Sequence, residues 1–110
     1  MLPRQEYVLV TLRACVTACQ RANRFVTEHP NADQLSRASR LSLDCGDLCE
    51  LMATFVTRDF EHLVYVLREC AELCRTCADE MARHASIEAT FKQVEQACRL
   101  AEDACRTAYH

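Results

Sequence analysis

Between Cys70 and His84 the chain reads CAELCRTCADEMARH, and its soft-ligand residues are Cys70, Cys74, Cys77, Met81 and His84. The spacing alternates four and three residues. At a helical turn of about 100° per residue, all five fall within an arc of about 80°. Thiols, a thioether and an imidazole on one narrow stripe form a soft-metal ligand set, of the kind that selects Cu(I), zinc or iron–sulfur clusters. Glu69, just before Cys70, and Glu72, Arg75, Asp79, Glu80 and Arg83, between the ligand residues, read as the solvated face.

A stripe that narrow is the inward seam of a helical bundle, and the rest of the chain repeats it. A first helix over residues 5–28 has the seam Val8, Leu12, Cys15, Cys19, Ala22, Val26. His29-Pro30-Asn31 ends it, because proline disfavours helix in the residue before it. Asn31 with Gln34 reads as a capping box for a second helix over 32–57. The seam there is Ala38, Ser42, Cys45, Cys49, Met52, Val56, with Leu41, Leu48, Leu51 and Phe55 widening the apolar face. Gly46 lies mid-helix at a cost of about 1 kcal/mol against alanine, which close packing would explain. Thr57-Arg58-Asp59 is a turn, and a third helix covers 60–84. Its first half, Leu63 to Leu67, is apolar all round and points to a subunit contact or a covering loop. Ser86 reads as the cap of a fourth helix over 87–108, with the seam Ile87, Phe91, Val94, Cys98, Ala101, Cys105, Ala108.

The expected fold is therefore all-α, an antiparallel up-down-up-down four-helix bundle in a single domain of 110 residues, with cysteines lining the core. Folding the hairpins back sets Cys15, Cys45, Cys74 and Cys98 at one level. Cys19 and Cys77 lie toward one end, and Cys49, Cys70 and Cys105 toward the other.

Composition narrows the function. A net charge of −3 offers no footprint for nucleic acid. No apolar run reaches the roughly 20 residues that cross a bilayer. Residues 1–13 carry Arg4, Glu6 and Arg13 and lack a signal peptide's apolar centre, so a cytoplasmic protein is expected. Cytosolic thiols stay reduced, which argues against a disulfide scaffold for the nine cysteines. Geometry agrees: Cβ atoms four apart on a helix are about 5–6 Å apart, against about 3.8 Å in a disulfide. Two sulfurs bridged by a metal want about 4.5 Å, at roughly 2.3 Å per bond.

Rows of thiols on stiff helices offer many two-sulfur bridges, which suits Cu(I). Zinc prefers closed four-ligand sites, and iron–sulfur clusters prefer loop cysteines in C-x2-C-x2-C runs, of which only Cys74-x2-Cys77 has a trace. The seams carry no carboxylate and the chain has no Glu-x-x-His, which excludes a di-iron bundle. The bland reading, cysteine as a small core hydrophobe, weakens when all nine lie on inward seams. His29, His62 and His110 read as exposed.

The register Cys70-x3-Cys74-x2-Cys77-x3-Met81-x2-His84, continued by Phe91-x2-Val94-x3-Cys98-x2-Ala101-x3-Cys105, resembles the cysteine-rich four-helix-bundle copper storage proteins. Residues 70–84 look like that family's C-A-x-x-C-x-x-C-A-x-x-C-x-x-H signature. The resemblance covers essentially the whole chain. It implies several Cu(I) ions bound as cargo by Cys15, Cys19, Cys45, Cys49, Cys70, Cys74, Cys77, Cys98 and Cys105, mainly between pairs of thiolates. It also implies homotetramers for cytosolic members, no enzymatic activity, and copper admitted at a mouth lined by His and Met. Met81 and His84 fit that mouth, and Met52 is a further auxiliary ligand candidate. Met81, Phe91, Val94 and Ala101 stand where such proteins commonly carry cysteine, which implies a reduced capacity. The expected function is Cu(I) storage or buffering. The alternatives are a zinc- or redox-responsive thiol protein, or a structural bundle that has lost bulk storage.

Overall fold

The computed structural model describes residues 2–29 and 33–109. Four helices, α1 (Pro3–Glu28), α2 (Ser36–Arg58), α3 (Leu63–Ala82) and α4 (Ala89–Thr107), form an up-down-up-down bundle measuring 44 × 19 × 19 Å. α1 packs against α2 and α4, and α3 packs against the same two.

The helix ends follow local chemistry. α1 begins at Pro3 rather than residue 5, because proline suits the first helical position, where no partner exists for an N–H. The Leu2 amide donates to Gln5 Oε1 at 2.9 Å beside it. At the other end the His29 Nδ1–H donates to the Phe25 carbonyl at 2.8 Å, and the two rings stack at 4.1 Å. The expected Asn31 cap and the Pro30 breaker lie outside the described residues. α2 is preceded by a 3₁₀ turn, Asp33–Leu35, so regular helix starts at Ser36 rather than residue 32.

α2 stops at Asp59, which takes the left-handed conformation (φ 55°, ψ 52°). Aspartate tolerates it better than most side chains. The Phe60 amide then reaches back to the Phe55 carbonyl at 3.1 Å. Phe60 stacks on Phe55 at 4.3 Å instead of opening α3, which starts at Leu63. The amides of Arg83 and His84 bond to the carbonyls of Glu80 and Met81, three residues back, so the chain tightens into a turn after Ala82. At α4 the cap is Glu88, whose side chain accepts from the Thr90 amide at 3.4 Å; the expected Ser86 cap is not used. Ile87, expected on the α4 seam, lies before the helix and is 61% exposed. Helical spacing does not apply to it.

All nine cysteines are buried, with Leu12, Met52, Val56, Met81, Phe91 and Val94 packed into the same core. Ser42 is buried too, its hydroxyl donating to the Ser39 carbonyl at 2.8 Å. On the second apolar line of α2, Leu41, Leu48 and Phe55 are half-buried, and Leu51 is exposed. In the first half of α3, Leu63 and Leu67 are buried while Val64 and Tyr65 face solvent. Gly46 is explained by packing: a Cβ there would stand 3.3 Å from the Cys19 Cβ, tighter than ordinary contact. No described helix is long and apolar enough to cross a membrane.

Candidate metal centre

Helix periodicity places the sulfurs, and the packing of α1 against α2 and α4 and of α2 against α3 brings them together. Cys15 Sγ lies 3.9 Å from Cys45 Sγ and 3.7 Å from Cys98 Sγ. Cys45 is 3.8 Å from Cys74, and Cys49 is 3.7 Å from Cys74 and 3.8 Å from Cys70. The level of four expected from the sequence, Cys15, Cys45, Cys74 and Cys98, is thus linked by sulfur contacts. Two four-sulfur groups result, Cys15/Cys45/Cys49/Cys74 and Cys15/Cys19/Cys45/Cys98, each with every ligand atom within 4.8 Å of the others. They share Cys15 and Cys45. All nine thiols are free. Cys70 touches this assembly through Cys49, while Cys77 and Cys105 belong to neither group.

The thiols also govern one another's protons. Hydrogen bonding with Cys15 first, and then with other neighbours and burial, pushes Cys49 and Cys98 far above the ordinary thiol range. Cys19, next to Cys15, and Cys77, next to Cys19, are raised as well. Cys45 is held low by hydrogen bonding with Cys15 first, and then with Cys19, Cys49 and Cys74, against the opposing effect of burial. The raised thiols therefore keep their protons until a metal displaces them.

One residue read from the sequence as solvated is not. Glu80 is 1% exposed. Its carboxylate accepts from His84 Nε2 at 2.8 Å and from Arg37 at 2.9 Å, and Arg83 lies at 3.1 Å. Glu80 sits about 40° beyond the edge of the ligand arc, so helical phase alone leaves it outside; its position four residues before His84 was the available signal. Because His84 donates from Nε2, its Nδ1 carries the lone pair when the ring is neutral. His84 and Met81 are buried at this end with Phe91, whose ring lies 5.7 Å from His84 and edge-on to Phe25 at 5.2 Å. Met52 is sealed at the opposite end beside Val56 on α2.

Burial pushes the Glu80 carboxyl up, but the hydrogen bonds from His84 and Arg37 outweigh it and hold the group below its ordinary range. A depressed carboxyl stabilises the fold above its unfolded value, and that contribution fades as pH falls through the folded value. Glu80→Gln is expected to cost about 1–3 kcal/mol at neutral pH. Urea unfolding should show the two proteins converging in stability below about pH 4. A constant difference across that range would refute the charge role.

The copper storage protein family (Csp) matches residues 3–110. This chain belongs to that family. Among copper storage proteins of known structure, a cytosolic one from Streptomyces lividans, solved with five coppers, is 28% identical. The similarity covers 96% of this chain and 91% of that one, with a TM-score of 0.91. Apo-Csp3 from Bacillus subtilis shares the fold at 24% identity and a TM-score of 0.85, over 96% of this chain and 98% of that one. The Bacillus subtilis cysteine-rich protein YhjQ is 25% identical over 83 residues, 73% of this chain and 77% of its own length.

Proposed function

We propose that this protein stores or buffers Cu(I), holding several ions as cargo among its nine core thiols, and that it is not an enzyme. The observation that carries the reading is the pair of four-sulfur groups sharing Cys15 and Cys45 in an interior shut off from water. Soft thiolates crowded on rigid helices offer a monovalent soft ion many two-sulfur seats. The five coppers in the Streptomyces lividans relative support it. All nine cysteines are assigned to the cargo, with Met81, His84 and Met52 as auxiliary positions. A cytoplasmic location is assigned with the function, since such a thiol set needs a reducing compartment. The exposed Val64 and Tyr65 support assembly into a homo-oligomer, a tetramer by analogy with the family, which mass in solution checks.

Each thiol that takes metal must lose its proton. The raised apo thiols therefore make loading release protons, and affinity falls as pH falls. An anaerobic Cu(I) titration against a chromogenic chelator, repeated at two pH values, tests both statements. Several equivalents, bound more weakly at the lower pH, are expected; binding of no more than a single equivalent sinks bulk storage and favours a bundle that kept only the fold.

Zinc is the second reading, and one observation favours it. Sulfur separations of 3.7–3.9 Å are shorter than the roughly 4.5 Å expected for an in-line two-sulfur bridge and match the roughly 3.8 Å edge of a tetrahedron built with 2.3 Å zinc–sulfur bonds. Against it, the two groups share two sulfurs, so a pair of zinc ions would have to bridge both. Direct competition decides: Cu(I) should displace zinc completely at equal concentration.

A further inference from the structure

His84 is the most open residue of the α3 ligand stripe, 5% exposed where Cys70, Cys74, Cys77 and Met81 are fully buried. It is also the one residue of the stripe outside the helix. Its amide bonds to the Met81 carbonyl in the turn that ends α3. Helical backbone aims the cysteine side chains inward, but it does not aim this ring. Phe91 supports the imidazole at 5.7 Å. An apolar neighbour does not choose which ring nitrogen faces which way.

Glu80 makes that choice. Its two oxygens have separate partners. Oε1 accepts from Arg37 at 2.9 Å and from Arg83 at 3.1 Å. Oε2 accepts from His84 Nε2 at 2.8 Å. Arg37 belongs to α2, so the carboxylate is held from a second helix as well as its own. An ionised carboxylate only accepts, so its partner nitrogen must carry the proton. The lone pair of the neutral ring is then at Nδ1, which has no hydrogen-bond partner among the described residues.

We propose that Glu80 is a positioning residue for Cu(I) at His84: it fixes Nε2 as the protonated nitrogen and leaves Nδ1 as the one that binds the ion. This rests on the storage reading and deepens it. The Nδ1 lone pair forms the Cu–N bond as the bond to the departing carrier ligand breaks. The Nε2 proton stays in its hydrogen bond to Glu80, and copper stays Cu(I). Ligation at His84 therefore releases no proton, unlike ligation at each thiol. The carboxylate partner also makes the imidazole a stronger donor.

The test is side-chain NMR on ¹⁵N-labelled full-length protein, recorded well above the ordinary histidine range. Closed-shell Cu(I) leaves the spectra undisturbed by paramagnetism. The apo protein should show His84 as the Nε2–H tautomer. During anaerobic titration with Cu(I)–acetonitrile to saturation, the Nδ1 resonance should move while the Nε2 proton persists. Copper on Nε2, or a His84 signal unchanged at saturation, overturns the inference without a variant. Glu80→Gln offers an amide that can accept or donate, so either ring nitrogen can face it. In that variant Cu(I) at His84 should bind about tenfold more weakly, with both tautomers present. Unchanged spectra and affinity overturn the positioning role. Arg37→Gln separates positioning from a plain tie between helices, since Arg37 bonds to Glu80 and not to His84. It should leave His84 as in the wild type; an equal loss in both variants refers the effect to the tie and overturns the proposal. Total capacity distinguishes the two readings. A wild-type end point of no more than a single equivalent sinks storage, whereas a full end point with the wrong nitrogen ligated sinks only the role of Glu80.

Discussion

Replacing Cys15 and Cys45 together by alanine is expected to remove more than about half of the Cu(I) capacity, far beyond two thiols' share of nine. Both four-sulfur groups contain both residues, so the double variant breaks each group from the inside. Cys45 also joins Cys15 to Cys74, at 3.9 and 3.8 Å, so its loss cuts the line of sulfur contacts in the middle. Replacing Cys70 and Cys105 removes the same number of thiols outside both groups and should cost less. The chelator titration compares the two double variants, with melting curves to show that each is folded. Equal losses would mean that the nine sulfurs act independently and that the shared pair has no special place.

The largest effect on stability is expected at Phe91. Its side chain is fully buried, meets Phe25 edge-on at 5.2 Å and 79°, and lies beside His84. Truncating such a residue loses its transfer free energy and leaves a cavity, for a cost of about 3–5 kcal/mol. Domains of this size have about 5–15 kcal/mol in total, so Phe91→Ala should be a marginal fold. Urea or thermal unfolding measures this directly. Phe91 touches no thiol in the contacts described above, so folded Phe91→Ala should keep its copper end point. A loss below about 1 kcal/mol would show that the thiol-free end of the core repacks easily.

Much of this was legible in the sequence, and the exceptions have physical causes. The seams follow a strict alternation of three and four, so every cysteine falls inward once the chain is helical; Cys15, Cys45, Cys74 and Cys98 could be placed at one level by counting turns. Helix ends were less legible. They depend on local hydrogen bonds, as at Glu88 and Asp59, which periodicity does not encode. Glu80 was misplaced because a carboxylate beyond the edge of a seam is ordinarily solvated. Only the approach of Arg37, from a distant part of the chain, together with His84, makes its burial affordable. The grouping of six sulfurs into two overlapping sets needed three-dimensional distances.

The sulfur contacts have one more consequence. From Cys98 through Cys15, Cys45, Cys74 and Cys49 to Cys70, each atom lies within 3.9 Å of the next. A soft ion on such a string can hop by swapping a single partner at each step. Its travel is then limited by neighbour exchange rather than by escape into water, and the core becomes a relay as well as a container.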